Sequence, residues 1–408
     1  MLDSLRSCLV RDIQSTLDKF PTTLNETYER MLNNIDEQKW KYAHNIFQFL
    51  TVSARPLSVQ ELAEIFAISS DEDQAGIPKF EPSWREPDAE LALRSVCSGL
   101  IAIDEVDGEK QVRFSHFSVQ EFLTSDRLGG HLSRYHVFPR PAHIFSAKVC
   151  LSQLDGRIPK DMVEVMFPLA TYAAKHWVDH VKSEDPSSLG QLRAGMIRLF
   201  DNKQPQFAAW IGVYDIDNPS GSQLVHNHPR EPETSPLYYA ALYGSLYMVE
   251  YLANSRPNDV MTRSRDGRTP LHAALWNGHS SVALALLNRG ADANARDNGD
   301  ETPLQIASRR GDIEVMVSLY NRGASLAAKN KDNETPLSLA SRDGSLEAVR
   351  LLLQLLGHRA DLVNQQAALK RTALHVATIR GHQPIASCCL TEAQISTRRT
   401  RISELHYI

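Results

Sequence analysis

The sequence predicts a mainly α-helical chain in two parts: a helical half interrupted by one β-hairpin, then a solenoid of stacked helix-turn-helix repeats. Three observations carry this. A ten-residue string recurs at 235–244, 269–278, 302–311, 335–344 and 372–381, spaced by 34, 33, 33 and 37 residues, and always ends in glycine. Upstream, apolar residues recur at helical spacing through most of the chain to residue 213. Within that half, one pair of β-rich runs surrounds Asp107-Gly108, a hairpin signal.

In chain order, 22–35 and 37–53 read as amphipathic helices. Ser58 and Glu61 form a capping-box pattern at the head of a third, over 55–68. Acids, Gly76 and three prolines make 69–87 a loop. A helix over 88–99 leads into the hairpin, and three helices followed by a hairpin is the order of a winged helix. Helix returns at 114–125, with Ser118 and Glu121 as its capping pattern, and continues in packed helices over 141–154, 160–183, 187–201 and 204–213. The polar stretch 215–234 reads as a linker.

In the repeats, threonine at the helix start caps free amides, and proline suits the first helical position. Leucine and alanine on one face pack against the neighbouring repeat. The glycine ends the first helix, where left-handed backbone is required. A second glycine, Gly290 or Gly323, follows the threonine by 21 residues and ends the second helix. One unit alone cannot bury its apolar face, so units must stack. Length and motif resemble the ankyrin repeat over about 235–390. The fold class is therefore mainly α: a winged-helix and helical domain followed by an ankyrin-repeat solenoid. The first copy departs at Ser235 and Tyr238, and the fourth is lengthened around 355–371.

The first half has its own likeness. TTLNETYERML (22–32), RPLSVQELAEIFAI (55–68), FSHFSVQEFLTS (114–125) and FPLATYAAKHWVDHV (167–181) resemble the segment after the NACHT nucleotide-binding domain in fungal NLR-like proteins. There a winged helix of the GPI inositol-deacylase type leads into ankyrin repeats. The resemblance implies a signalling or incompatibility-type role, with the array sensing a protein partner. Such proteins switch through a P-loop, GxxxxGK[ST], and no such motif stands here. The expectation is a non-enzymatic interaction module with no cofactor and no metal. The alternative is a fragment of a NACHT signal-transduction ATPase whose nucleotide domain lies outside this chain. A third reading is DNA binding by the winged helix. Acids at Asp104, Glu105, Asp107 and Glu109 around Lys110 and Arg113 argue against it, because they repel phosphate.

The domains expected are 1–36, a helical remnant; 37–130, the winged helix; 131–214, a helical domain; 215–234, the linker; 235–389, five ankyrin repeats; and 390–408, an aberrant tail. Codons chosen for Leu390 to Ile408 and read one base out of register can spell LDRGADINAKDEDQRAPLH, with glycine again 21 positions after Thr372. That is a repeat loop and the start of a sixth repeat, so the tail is expected to be out of frame. The other readings are a divergent tail, or a basic address in TRRTR (397–401) that would allow a nuclear location.

The 408 residues are 42% apolar and 23% charged, with a formal charge of −5, which offers no global attraction to nucleic acid or acidic membranes. Five cysteines without a CxxC pair argue against a zinc site or a disulfide framework. They fit a reducing compartment and a cytoplasmic location. No apolar run reaches the ~20 residues that span a bilayer. His176 and His180, four apart on a helix, are expected to pack or lie at the surface rather than bind metal. The pair His226 and His228 lacks a third ligand, and His272 and His375 are structural histidines of the repeat. Ser115-His116 lacks the G-x-S-x-G elbow of a hydrolase.

The candidate site is the row of residues just before each mid-repeat glycine, which in the ankyrin pattern faces the concave groove, as do the hairpin residues before TPL. It comprises Leu242 and Tyr243, Trp276 and Asn277, Arg309 and Arg310, Arg342 and Asp343, and Ile379 and Arg380. Aromatic and apolar at its start and basic in its middle, the row predicts a partner with an apolar anchor and an acidic flank.

Overall fold

The computed structural model describes residues 23–97, 99–154, 167–182, 188–214, 234–357, 359–366 and 371–391. The expectations for 1–22, for the linker over 215–233 with its His226 and His228, and for the tail over 392–408 lie outside these residues. The chain divides into two compact units, Met1–Leu199 with Gln204–Tyr214, and Phe200–Lys203 with Asp215–Ile408.

The first unit begins with α1 (Leu24–Asn33), whose N-cap Thr23 accepts a hydrogen bond from the Glu26 amide, and α2 (Trp40–Val52). Strand β1 (Leu57–Ser58) enters α3 (Val59–Ala63) through the expected capping box of Ser58 and Glu61. Helix α4 (Ala89–Cys97) precedes the wing strands β4 (Ile101–Val106) and β5 (Glu109–Phe114). The turn between them places Asp107 at φ 53° and Gly108 at φ 83°, as a two-residue hairpin requires. The sheet has order β1-β5-β4, so the hairpin gains a third strand, with Leu57 opposite Val112. Two residues carry too little periodicity for a sequence to reveal that strand.

Two expectations are corrected here. The loop over 69–87 contains an antiparallel pair, β2 (Ile68–Glu72) and β3 (Pro78–Phe80). Its turn is held by Asp73, whose Oδ1 accepts from the Ala75 and Ile77 amides at 2.8 and 3.0 Å and whose other oxygen pairs with Arg198. Ile77 is buried. A polar run of Ser69, Ser70 and Asp71 hides the strand from any hydrophobic pattern. Second, α5 (Phe117–Leu123) is capped by His116, not by Ser118, whose hydroxyl instead meets Tyr28 Oη at 2.7 Å.

Helices α6 (Pro139–Gln153) and α7 (Pro168–Lys182) then pack together and onto α2, burying Phe47, Phe49, Tyr172 and Trp177. Helices α8 (Arg193–Leu199) and α9 (Pro205–Val213) complete the unit; Trp210 of α9 meets Trp177 edge-on at 5.5 Å and donates to the Ala174 carbonyl at 2.9 Å.

The second unit is the repeat array. Its helix pairs are α10 (Pro236–Tyr243) with α11 (Leu246–Ser255), α12 (Pro270–Trp276) with α13 (Ser280–Asn288), α14 (Pro303–Arg310) with α15 (Ile313–Asn321), and α16 (Pro336–Asp343) with α17 (Leu346–Leu356). After the short α18 (Ala360–Val363) come α19 (Ala373–Ile379) and a helix over 383–391. Thr269, Thr302, Thr335 and Thr372 are all N-caps, as the sequence predicts. Leu271, Ala274, Leu304, Ala307, Leu337 and Ala340 are buried between first helices, which pack one on the next.

Candidate partner-binding face

The ends of the first helices are built by bonds that run from repeat to repeat. His279 Nε2 donates to the Leu242 carbonyl at 3.1 Å, Arg310 to the Trp276 carbonyl at 3.0 Å, and His382 Nε2 to the Arg342 carbonyl at 3.2 Å. Each satisfies a carbonyl that a helix end leaves free. The approach requires the mid-repeat glycine: at Gly244, φ 77°, a Cβ would lie 2.6 Å from the His279 ring. At the other end of the helix, His272 Nδ1 accepts from the Thr269 hydroxyl at 2.8 Å while its Nε2 donates to the Glu301 carbonyl of the next repeat at 3.1 Å. Burial lowers the pKa of His272, keeping it neutral for this double role. Gln305 repeats the device, donating to the Glu334 carbonyl at 2.7 Å.

On this scaffold the row of candidate residues divides. Leu242 and Tyr243 are each only 4% exposed, so they are corrected from groove surface to interior. The physical reason is general: covering apolar area gains about 25 cal/mol per Å², and nothing polar on these side chains opposes it except one hydroxyl. Trp276, Arg309 and Arg342 are half-buried; Asn277, Arg310, Asp343 and Arg380 are exposed, and Ile379 is 61% exposed.

The middle of the row is not a bare basic patch. Arg309 Nη2 pairs with Glu301 at 2.6 Å, its Nε lies 3.5 Å from Asp343, an ion contact rather than a hydrogen bond, and its guanidinium sits 5.1 Å from the Trp276 ring centroid. Arg268 covers the same ring at 5.3 Å. Arg342 pairs with Glu334 at 2.5 Å and with Asp343 at 3.0 Å. Burial pulls the Arg342 pKa down, but the hydrogen bond and charge of Asp343, with Glu334, raise it overall. Burial also raises the Glu301 pKa, against the pull of Arg309. The expectation of an open basic stretch is thereby corrected: Arg309 and Arg342 are neutralised by carboxylates of their own array, and Arg310 and Arg380 remain the exposed cations of the row.

Arg268, Glu301 and Glu334 stand among the hairpin residues expected to face the groove, but the sequence reading did not pair them with the row. A signal was present: the residue before each threonine stands eight positions ahead of a row residue, as in Arg268 and Trp276, Glu301 and Arg309, Glu334 and Arg342. The three pairs touch in the structure.

The other candidate chemistries resolve locally. Lys110 is held by Glu90 at 2.7 Å and Arg113 by Asp104, so the wing's cations are spent on carboxylates of the same unit. His176 pairs with Asp179 at 3.0 Å. His180, 1% exposed, lies 3.1 Å from Tyr172 Oη and 3.2 Å from His143 Nδ1. Among the described residues no group of three or more His, Cys, Asp or Glu side chains could hold a metal ion, and no helix is long and apolar enough to cross a membrane.

Comparison with known proteins agrees with both architectures. Residues 214–297 and 296–364 match the family described as "Ankyrin repeats (3 copies)", and residues 28–134 match "GPI inositol-deacylase, winged helix domain". The chain is 30% identical over 299 residues to "Azaphilone pigments biosynthesis cluster protein L" of Monascus ruber. That alignment takes in 67% of this chain and 62% of the relative, so the chain spans less than two thirds of the relative's length. The chain therefore carries a GPI inositol-deacylase-type winged helix and, after it, ankyrin repeats, the second of these a module that binds proteins.

Proposed function

We propose that this chain is a protein-protein interaction module of a fungal NLR-like signalling protein, and that its partner docks on the row at the ends of the first ankyrin helices. The observation that carries the reading is the stack of Arg268, Trp276 and Arg309, flanked by exposed Asn277 and Arg310. It is a rigid aromatic anchor, pre-ordered by two guanidiniums, and tryptophan and arginine are the side chains that dominate binding hot spots. Because Glu301, Glu334 and Asp343 balance Arg309 and Arg342, the partner needs an apolar contact for Trp276 and a hydrogen-bonding group for Asn277 and Arg310 more than a dense acidic flank. The likeness to a pigment biosynthesis cluster protein supports, beside the NLR reading, one in which the module serves a biosynthesis cluster.

The test is comparative capture from the source organism's extract, with quantification, using the whole chain and the variants Asn277→Arg, Trp276→Ala and Tyr320→Ala. The reading expects one set of proteins lost from both row variants and kept by Tyr320→Ala. Trp276→Ala should cost about 2 kcal/mol of affinity or more. Retention of every captured protein by Asn277→Arg would remove the row from consideration. The second reading, a piece of a NACHT ATPase, is tested by transcript sequence upstream of codon 1; a P-loop there decides for it.

A further inference from the structure

The winged-helix unit carries a second surface, on the helix that would enter a DNA groove in a nucleic-acid-binding winged helix. Around α4 the usual polarity is inverted. At 84–85, in the single turn Pro82–Trp84 and the residue after it, the charged side chain turns in and the tryptophan turns out. Arg85 pairs with buried Glu64 at 2.7 Å and lies over the Phe80 and Phe167 rings, whereas Trp84 is 53% exposed. Nearby Leu91 of α4 is 65% exposed. An exposed large apolar group beside a buried charge is the informative kind of departure from ordinary burial, and a contiguous apolar patch marks an interaction site.

Trp84 and Leu91 line one groove of about 670 Å³ together with Tyr42 and the buried Phe66 and Val96. The size and the apolar lining are those of a binding site. Its charge decides what fits. Two carboxylates stand at the groove, Glu86 and Asp88, against one ammonium, Lys39. Lys39 is engaged with Ser95 Oγ at 3.4 Å, and Asp88 Oδ1 accepts the Leu91 amide at 3.0 Å. Glu86 is exposed and makes no ion pair among the described residues. Arg94 of α4 and Lys110 of the wing are both held by Glu90, and the wing's Arg113 by Asp104. DNA is repelled by this arrangement, and an acidic ligand gains nothing from it.

We infer that this groove binds a peptide segment of a protein partner that presents an apolar side chain beside a lysine or arginine. The apolar side chain fills the space between Tyr42, Phe66 and Leu91. The aliphatic stem of the basic residue lies along Trp84, with its head group at Glu86, the posture long cationic side chains adopt on apolar surface. This surface is distinct from the ankyrin row, so the two could hold different partners.

The test uses the whole chain labelled with 5-fluorotryptophan, the Trp84 signal being identified by its loss in Trp84→Phe. The probes are a capped synthetic peptide, Lys-Lys-Leu-Phe-Lys-Lys, and its twin, Glu-Glu-Leu-Phe-Glu-Glu. The basic peptide should shift the Trp84 fluorine resonance with saturation below about 1 mM, a range that corresponds to about 4 kcal/mol, and the acidic twin should not. Glu86→Lys and Leu91→Ser, both at exposed positions, should keep the far-ultraviolet circular dichroism and weaken the basic peptide about tenfold. Equal shifts from both peptides, no shift at Trp84, or unchanged binding by both variants would overturn the proposal. A Trp84 resonance that moves on dilution alone would assign the groove to a second copy of this chain, and would overturn it too.

Discussion

His180 shows how much a single side chain can owe to its surroundings. Burial, and after it the charge of His143, lowers its pKa from 6.5 to about 4. The unfolded chain takes up this proton near the ordinary value, whereas the folded chain resists it until about 4. The stabilisation is therefore whole above pH 6.5 and is lost as pH falls toward 4, by roughly 3 kcal/mol at about 1.4 per unit. His180→Gln should flatten that dependence. Urea unfolding of the whole chain from about pH 7 to 4.5 measures it, followed by fluorescence of the buried Trp177 and Trp210. Equal pH slopes in wild type and variant would contradict the assignment. The sequence left His180 either to pack or to lie at the surface, and the structure buries it. The sequence could not reveal the contact with His143, 37 residues away, because a pair brought together by tertiary packing leaves no local pattern. The same limit applies to Arg309, which reads as an exposed cation until Glu301, Asp343 and Trp276 are seen around it.

Among elements, those with a strong local code were legible and those without were not. The repeat helices announce themselves through threonine, proline and glycine at fixed offsets, with Ser235 in place of threonine in the first repeat and Ala373 in place of proline in the fifth. The pair Ile68–Glu72 and Pro78–Phe80 does not, because its pairing rests on the Asp73 turn and on Ile77 packing against α8 rather than on alternation. Gly195 of α8 makes room there; a Cβ on it would lie 2.5 Å from the Ile77 side chain. Within the array, the two TPLH-type histidines should differ. His272 is fully buried and bonds two repeats, so His272→Ala strands the Glu301 carbonyl and should cost about 1–3 kcal/mol. His375 is exposed and bonds Thr372 of its own repeat, so His375→Ala should cost less than about 1 kcal/mol. Thermal unfolding of the two variants, monitored by circular dichroism, gives the comparison; equal losses would mean that the inter-repeat bond carries no weight.

In the whole molecule, ladders of backbone and side-chain bonds hold the repeats in register, and the proposed function gives the residues at the first-helix ends to a partner. The most direct measurement is site-specific photocrosslinking from p-benzoylphenylalanine placed in the full chain, at Asn277 on the row or at Tyr320 on the second helix of the next repeat. Both positions are exposed, so either label should leave the fold intact. A partner seated on the row gives a discrete crosslinked protein from position 277 that disappears with Arg310→Glu and is missing from position 320. A crosslink from 320 alone, or the same product from both positions irrespective of Arg310→Glu, would contradict it.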